Sequence, residues 1–359
     1  MSVVQSAPAA ARRPKANWPR PQPGPTLAIA LLLALLVAVQ VGAVPVSLAD
    51  WLAPLQADGA ALPGSAQVLW QIRLPRALMC IAVGAALALS GALMQGLFRN
   101  PLADPGLIGV SAGASCAAAL TLTVLSGLQV ALPPAWRPWV LPVAAFGGAL
   151  AVCLLLERMA TWLLGASIAG LLLAGLAINA VAGSVVGLCT FLATDEQLRN
   201  LTFWQLGSMA GAGWGIVGAL ALALLLATWQ ARRLARALNA LSLGEQVAGH
   251  VGIDVAHLRR RCILVVALLC GMAVAWTGLI GFVGLMAPHL VRSWAGADQR
   301  RVLPLAMLAG ALLMLVADTL GRTVAVPAEV PVGIFTALLG GPFLLLVLRS
   351  SGLGRRAAF

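Results

Sequence analysis

The sequence predicts an all-α, polytopic integral membrane protein with ten transmembrane helices in two five-helix inverted halves. Three observations predict it. The 359 residues are 61% hydrophobic and only 9% charged, with a mean hydropathy of +0.96, whereas soluble proteins carry roughly 25% charged residues. Nine stretches free of Asp, Glu, Lys and Arg are each able to hold at least one spanning helix of about 20 residues, the shortest by extending into its flanks. The 22 arginines and one lysine, set against 11 acids for a net charge of +12, sit mostly in short segments between those stretches. A water-soluble enzyme is excluded, because so few charges cannot cover the surface of a chain this long. Nucleic-acid binding is set aside because the arginines trace topology and form no patch.

The first 26 residues, with six prolines from Pro8 to Pro25, read as a disordered cytoplasmic tail. Arg12, Arg13 and Lys15 ahead of an apolar run also fit a signal peptide, but no convincing small-residue cleavage pattern follows, so the run is read as a retained anchor. The spans fall at about 27–44, 77–97, 106–126, 139–157, 163–189, 209–230, 261–279, 282–295, 303–321 and 331–348. They form a ten-helix transmembrane domain over 27–350, followed by a short cytoplasmic tail, 351–359.

One segment decides the count. Cys262–Val291 is 30 residues long and contains Gly278, Gly281, Gly284 and Pro288. Read as two helices, the second short, it gives ten spans and leaves 18 basic residues inside against 5 outside. Read as one, it gives 13 against 10. The positive-inside rule selects ten spans with both termini cytoplasmic. Five plus five spans then enter from opposite sides, as in transporters built from inverted repeats.

Nothing in the chain carries catalysis. A phosphate-binding loop needs a lysine after glycine, and the single lysine, Lys15, follows Pro14. The six cysteines lie inside apolar runs without a CxxC spacing and read as small buried hydrophobes. His250 and His257 lack metal spacing, and His289 after Pro288 reads as a structural hydrogen-bonder, so no metal site is expected. Energy must come from a separate nucleotidase or an ion gradient. Ion-coupled carriers place acids near the bilayer midplane, whereas Asp318 and Glu157 fall near span ends, and no mid-depth carboxylate is expected.

Certain segments are more particular than apolar helices require. They are Arg73-Leu-Pro-Arg76, Gly91-Ala-Leu-Met-Gln95, Arg99-Asn-Pro-Leu-Ala-Asp-Pro-Gly106 and Gly109-Val-Ser-Ala-Gly113 in the first half. The second half has Gly278-Leu-Ile-Gly-Phe-Val-Gly-Leu-Met-Ala-Pro-His289, Arg292, Ala317-Asp318, Arg322, Glu329-Val-Pro-Val-Gly333 and Gly340-Gly-Pro-Phe343. Together they resemble the FecCD/cobalamin-type permeases of ABC importers for haem, iron–siderophore complexes and vitamin B12, closest in appearance to the haem permeases. The resemblance runs from about Arg73 to Arg349. It implies a bacterial inner-membrane homodimer with lipid around it, two cytoplasmic ATPase subunits that hydrolyse ATP, and a periplasmic substrate-binding protein. It also implies no permanently bound cofactor, the haem or other iron complex being cargo.

The resemblance assigns roles residue by residue, and each has a plainer alternative. Arg73, Arg76 and Arg322 match the arginines that receive acidic side chains of the binding protein, a task suited to guanidinium forks. The alternative is that Arg73 and Arg76 snorkel to the interface and Arg322 pairs with Asp318 one turn earlier. Asn100 and Leu102 match residues that narrow the cytoplasmic end of the pathway, in a segment that Pro101 and Pro105 make a turn in any case. Asp104 is the expected cap of a helix starting at Pro105. The small residues Gly109, Ala112, Gly113 and Ala114 of span three fit close packing or a widened path equally. The loop around 237–258 matches two short coupling helices that dock on the ATPase, through Leu243, Gly244, Glu245, Ala248, Gly249 and Gly252. The alternative is an interfacial segment with no partner. Ser242 with Glu245 fits a capping box, and Asp254 a second cap.

Overall fold

Pro23 and Pro25 sit in the first turn of a helix, where a missing amide hydrogen breaks no bond, and the chain runs helical from Pro23 to Gln40. The helix thus starts four residues before the expected span and ends four before its expected end. The computed structural model describes residues 22–56, 62–162 and 168–350, so most of the expected N-terminal tail and the segment 351–359 lie outside the described residues. Every regular element among the described residues is helical.

Ten helices fall on the ten expected stretches and are labelled in order. They are α1 (Pro23–Gln40), α2 (Leu74–Leu97), α3 (Val110–Leu122), α4 (Arg137–Trp162), α5 (Ile168–Leu192), α6 (Trp214–Leu241), α7 (Val255–Thr277), α8 (Val283–Ala295), α9 (Gln299–Gly321) and α10 (Val332–Ser350). Six helical segments are long and apolar enough to cross a membrane: α1, Gly64–Leu97 containing α2, and the bodies of α4, α5, α6 and α9. α3 and α10 are apolar but shorter. The chain is therefore a multi-pass helical membrane protein.

Contacts between helix ends fix their sense. At one end, termed upper, Arg76 at the start of α2 meets Asp318 near the end of α9. There too Trp139 of α4 packs edge-on against Trp276 of α7 with ring centroids 5.1 Å apart. The Trp214 indole at the start of α6 donates to Trp70 O at 3.0 Å. At the lower end, Arg292 of α8 meets Gln95 of α2, Asn239 of α6 meets Asp298 ahead of α9, and Arg260 of α7 meets Glu157 of α4. Consecutive long helices thus alternate in direction.

α2 is the hub. It packs against α6, α7, α8 and α9, and Leu89, Leu93 and Met94 are fully buried. Gly84 of α2 and Gly310 of α9 touch backbone to backbone: a Cβ on either would overlap the other's carbonyl oxygen. Small residues permit this approach, which van der Waals contact rewards where lipid supplies no hydrophobic drive. α5 and α6, by contrast, present Leu173, Leu176, Val181, Leu188, Leu222, Leu225 and Leu226 outward.

Two helices depart from the simple picture. α3 begins at Val110 and not at Gly106, because Asp104 caps a four-residue 3-10 turn, Pro105–Ile108, and Gly109 then adopts φ +76°. α8 begins after an irregular stretch ending at Phe282, with φ +67°. A Cβ on Gly284 would stand 3.0 Å from Leu87 O and 3.1 Å from the Pro105 ring. Leu87 lies ten residues inside the end of α2, roughly 15 Å at 1.5 Å per residue. Both 13-residue helices therefore start at mid-depth, and Asp104 lies beside them, where the sequence placed no carboxylate.

Candidate functional site

At the upper end the segment Val68–Arg73 forms a π turn that leads into α2. The last carbonyls of α1 have no partner within their helix, and α1 has no basic residue in its last turn. Arg73 supplies the cap: its guanidinium donates to Val39 O and Gln40 O, both at 3.0 Å, and to Val44 O at 2.5 Å. Arg322 adds bonds to Ala38 O and Val41 O. Two cations at a helix C-terminus also complement its dipole.

Arg76, one turn along, holds two carboxylates. Its Nε and Nη2 donate to Asp318 at 2.9–3.2 Å, and its Nη1 reaches both oxygens of Glu329 at 3.0 and 2.8 Å. Arg322 Nε lies 3.6 Å from the other face of Asp318. Two guanidinium groups, those of Arg76 and Arg322, thus meet two carboxylates, while Arg73 stays on backbone carbonyls. The arginine side chains are nearly buried, 12% exposed for Arg76 and 11% for Arg322, whereas Glu329 is 47% exposed. The structure brings the three sequence-expected arginines together and turns them inward. Arg73 does not snorkel, and the Arg322–Asp318 pair is present.

Above them the upper loop is tied by Asp50, which accepts from Ser47 N at 2.7 Å, Ser47 Oγ at 2.9 Å and Ser65 Oγ at 2.7 Å. The Ser47 amide first, then the two hydroxyls, hold its carboxyl below the usual value of 3.8.

At the lower end α2 stops at Leu97, and Arg99 takes φ +51° to turn the chain. Asn100 Oδ1 accepts from Leu102 N at 2.9 Å, fixing the turn, and Leu102 is half-buried. Asn179 of α5 donates to Gly106 O at 3.4 Å, linking this segment to α5.

The expected coupling segment departs from the sequence reading in three respects. One short helix, Glu245–His250, stands where two were expected, because α6 runs on to Leu241 and α7 already starts at Val255. The capping box does not form: Ser242 Oγ donates to Asn239 O at 2.6 Å, and Gly244 at φ +123° is the cap. Glu245, free of the box, pairs with Arg259 at 3.7 Å. Asp254 does cap, accepting from His257 N at 2.9 Å, but it caps α7 itself. Ala248 is buried, while Leu243, Val247 and Val251 are exposed, Leu243 at 71%. Gly249 and Gly252 border this apolar knuckle, Gly252 at φ +82°.

Sequence reasoning missed a polar cluster here. Gln95 Nε2 donates to Leu285 O at 3.1 Å, and its Oε1 accepts from Arg292 Nε at 3.2 Å. With the Gln299 amide oxygen turned toward Arg292, it accepts from both Nη atoms at 3.2 and 3.0 Å. Asn239 joins α6 to α9 by donating to Asp298 Oδ1 at 2.6 Å and accepting from Gln299 N at 2.8 Å. The Asn239 amide, then Arg300 N, hold the Asp298 carboxyl below 3.8. The available signal was Gln95 itself, an amide inside an apolar span that needs a partner. His289 packs edge-on against Phe343 at 5.5 Å. Among the described residues no three His, Cys, Asp or Glu gather as a metal site would.

Known proteins resemble this chain in sequence and fold. The hemin transport system permease protein HmuU of Yersinia pestis is 48% identical, over 78% of this chain and 83% of its own length. The vitamin B12 import system permease protein BtuC of Klebsiella pneumoniae is 40% identical, over 80% of this chain and 84% of its own. A solved structure described as an inward-facing ABC transporter of metal-chelate type superposes with a TM-score of 0.79 at 31% identity, covering 90% of this chain and 98% of that one. The profile of the FecCD transport family spans residues 30–350, nearly all of the described helices, and the chain belongs to that family.

Proposed function

We propose that the chain is the permease subunit of an ATP-driven importer that moves haem, or a related bulky iron complex, across the bacterial inner membrane. The observation that carries the reading is the 48% identity to a hemin transport permease, against 40% for vitamin B12 permeases. A ferric-siderophore or cobalamin cargo is the neighbouring alternative.

In this reading all ten helices span, over a permease domain of 27–350. The upper end is periplasmic, and both termini are cytoplasmic. The alternating sense of the helices supports ten passes. The pairing of α3 with α8 supports two inverted halves: each is the third helix of its five, has 13 residues and begins at mid-depth after a residue of positive φ. A second copy completes the pathway at a dimer interface, for which the thinly buried, apolar α5 offers surface. Lipid covers the remaining apolar faces.

The upper cluster of Arg73, Arg76 and Arg322 is the docking point for the binding protein. One cation in excess and an exposed carboxylate on Arg76 support exchange of Glu329 for a partner's acid. Asn100 and Leu102 form the cytoplasmic gate. Leu243, Gly244, Glu245, Ala248, Gly249 and Gly252 present the knuckle to each of two ATPase subunits, which bind and hydrolyse ATP. Nucleotide-driven movement of the knuckle reaches the gate through α6, α7 and the Asn239–Gln299 link, switching access between the two sides.

The alternative of an ion-coupled carrier draws on Asp104 at mid-depth, although its Oδ1 is engaged by Gly106 N at 2.7 Å. Uptake of labelled haem into proteoliposomes holding permease, ATPase and binding protein tests all of this. ATP-dependent uptake is expected. Ferric-siderophore uptake without haem uptake would reverse the cargo, and ATP-independent uptake driven by a proton gradient would favour the ion-coupled carrier.

A further inference from the structure

Between the end of α2, the end of α8 and the residue preceding the knuckle lies a cavity of about 210 Å³, lined by Gln95, Gly96, Arg99, Asn100, Pro101, Ser242, Arg292, Ala297 and Gln299. Its lining combines amides, a hydroxyl and two arginines, unlike the mostly apolar linings of three larger cavities; a fourth, of about 380 Å³ between the end of α6 and the start of α9, is also basic, lined by Arg232, Arg236 and Arg300. Among the described residues neither Arg99 nor Arg292 has a carboxylate within ion-pair distance. Arg292 is held by neutral oxygens alone, those of Gln95, Gln299 and Ala92. Asp298, which stands between two lining residues, commits its Oδ1 to Asn239 Nδ2 and Arg300 N. Asn100 has its amide oxygen engaged by Leu102 N, which leaves the NH2 group as a donor.

Arg292 is half-buried, so leaving its charge without a counter-ion costs desolvation. An oxyanion offsets that cost and gains charge-assisted bonds from planar forks suited to phosphate. The volume equals several waters at about 30 Å³ each, room for one tetrahedral group. We propose that this cavity, between the Arg99–Pro101 turn and Ser242, binds a phosphate-type oxyanion through Arg99, Arg292 and Asn100. The source is either the headgroup of an anionic lipid, as basic pockets between helices on the cytoplasmic side accept, or free phosphate. Because the lining joins the turn to the residue ahead of the knuckle, the anion holds the two at one spacing.

The test uses the full-length chain. In neutral detergent, inorganic phosphate binding is read by equilibrium dialysis and thermal unfolding. In nanodiscs, native mass spectrometry reads retention of phosphatidylglycerol against an all-phosphatidylcholine control. Arg99 is exposed, so Arg99→Gln is expected to fold, and it should weaken the bound probe by about tenfold. Arg349→Gln, another exposed cation, should bind as the parent does. Binding of inorganic phosphate assigns the free anion, and selective phosphatidylglycerol retention assigns the lipid. Equal binding by parent and Arg99→Gln for both probes overturns the proposal. So does an absence of both, with Arg99 shielded from phenylglyoxal only when the ATPase subunit is present, since the cavity then serves a protein partner.

Discussion

The two ends of the bundle handle arginine differently. At the upper end Arg73, Arg76 and Arg322 are folded inward, and Asp318, Glu329 and the carbonyls of α1 absorb their charge and donors. At the lower end Arg292 leans on amides, Arg99 stands without a carboxylate among the described residues, and a knuckle of exposed Leu243, Val247 and Val251 projects from the surface. The upper end pairs its carboxylates and leaves Arg322 Nε without a hydrogen bond, whereas the lower end is less finished. A surface that completes its own ion pairs binds a partner by exchange, whereas one that leaves charge and apolar area uncovered binds by addition.

That contrast is most readily broken at Arg76. Arg76→Ala leaves a buried Asp318 with a single cation at 3.6 Å, and a loss of about 3 kcal/mol is expected in thermal unfolding of the purified protein. Asp318→Asn in the same chain should recover part of it. If Arg76→Ala unfolds like the parent, the upper end does not rest on its own ion pairs. Arg73→Gln comes next: it gives up two carbonyl bonds at the end of α1 and one to Val44 beyond it, and a loss of about 2 kcal/mol is expected, with faster hydrogen exchange of the last turn of α1 as the local readout.

The lower end is tested by function. Leu243→Asp adds a charge at an exposed site, so stability should stay within about 0.5 kcal/mol. ATP hydrolysis stimulated by the binding protein should nonetheless fall at least about tenfold if the knuckle is the coupling element. Unchanged stimulation would remove that role. Glu329→Gln frees one side of Arg76 at little cost, about 0.5 kcal/mol or less for so exposed a pair. It sharpens the exchange idea, which expects tighter docking of the binding protein in a pull-down titration.

The smallest effect is the pH dependence of the Asn239–Asp298 link. The folded carboxyl sits below 3.8, so its contribution is full above that value and is lost as pH falls through the depressed one. The protection factor of the amides at the start of α9 should therefore be constant near neutrality and fall only in acid. Asp298→Asn should remove the acid response.

Much of this was legible from residues, for identifiable reasons. Apolar runs bounded by arginines located the stretches on which the ten helices fall, six of them in segments long and apolar enough to cross a membrane, because a spanning helix and its flanking charges are local features. Asp318 and Arg322, four residues apart, were readable as a pair. The inward aim of Arg73 was not, since its partners Val39 and Gln40 lie more than 30 residues away and are backbone atoms, which carry no residue-type signal. Pro105 concealed the true start of α3. A proline after Asp reads as a helix start, but the 3-10 turn and the positive φ of Gly109 delay the helix to Val110. The Ser242–Glu245 box failed because Ser242 is the C-cap of α6 and Gly244 caps the short helix, so Glu245 falls at its first position and not its third. The cluster around Gln95 needed three helix ends at once.

The contact of Gly84 with Gly310 constrains how such a machine moves. Two helices that meet main chain against main chain have no layer of side chains to change rotamer between them, so they cannot slide past each other by small repacking steps. α2 and α9 must travel as one stiff post. Any rocking within the bundle is then a movement of other helices about that post.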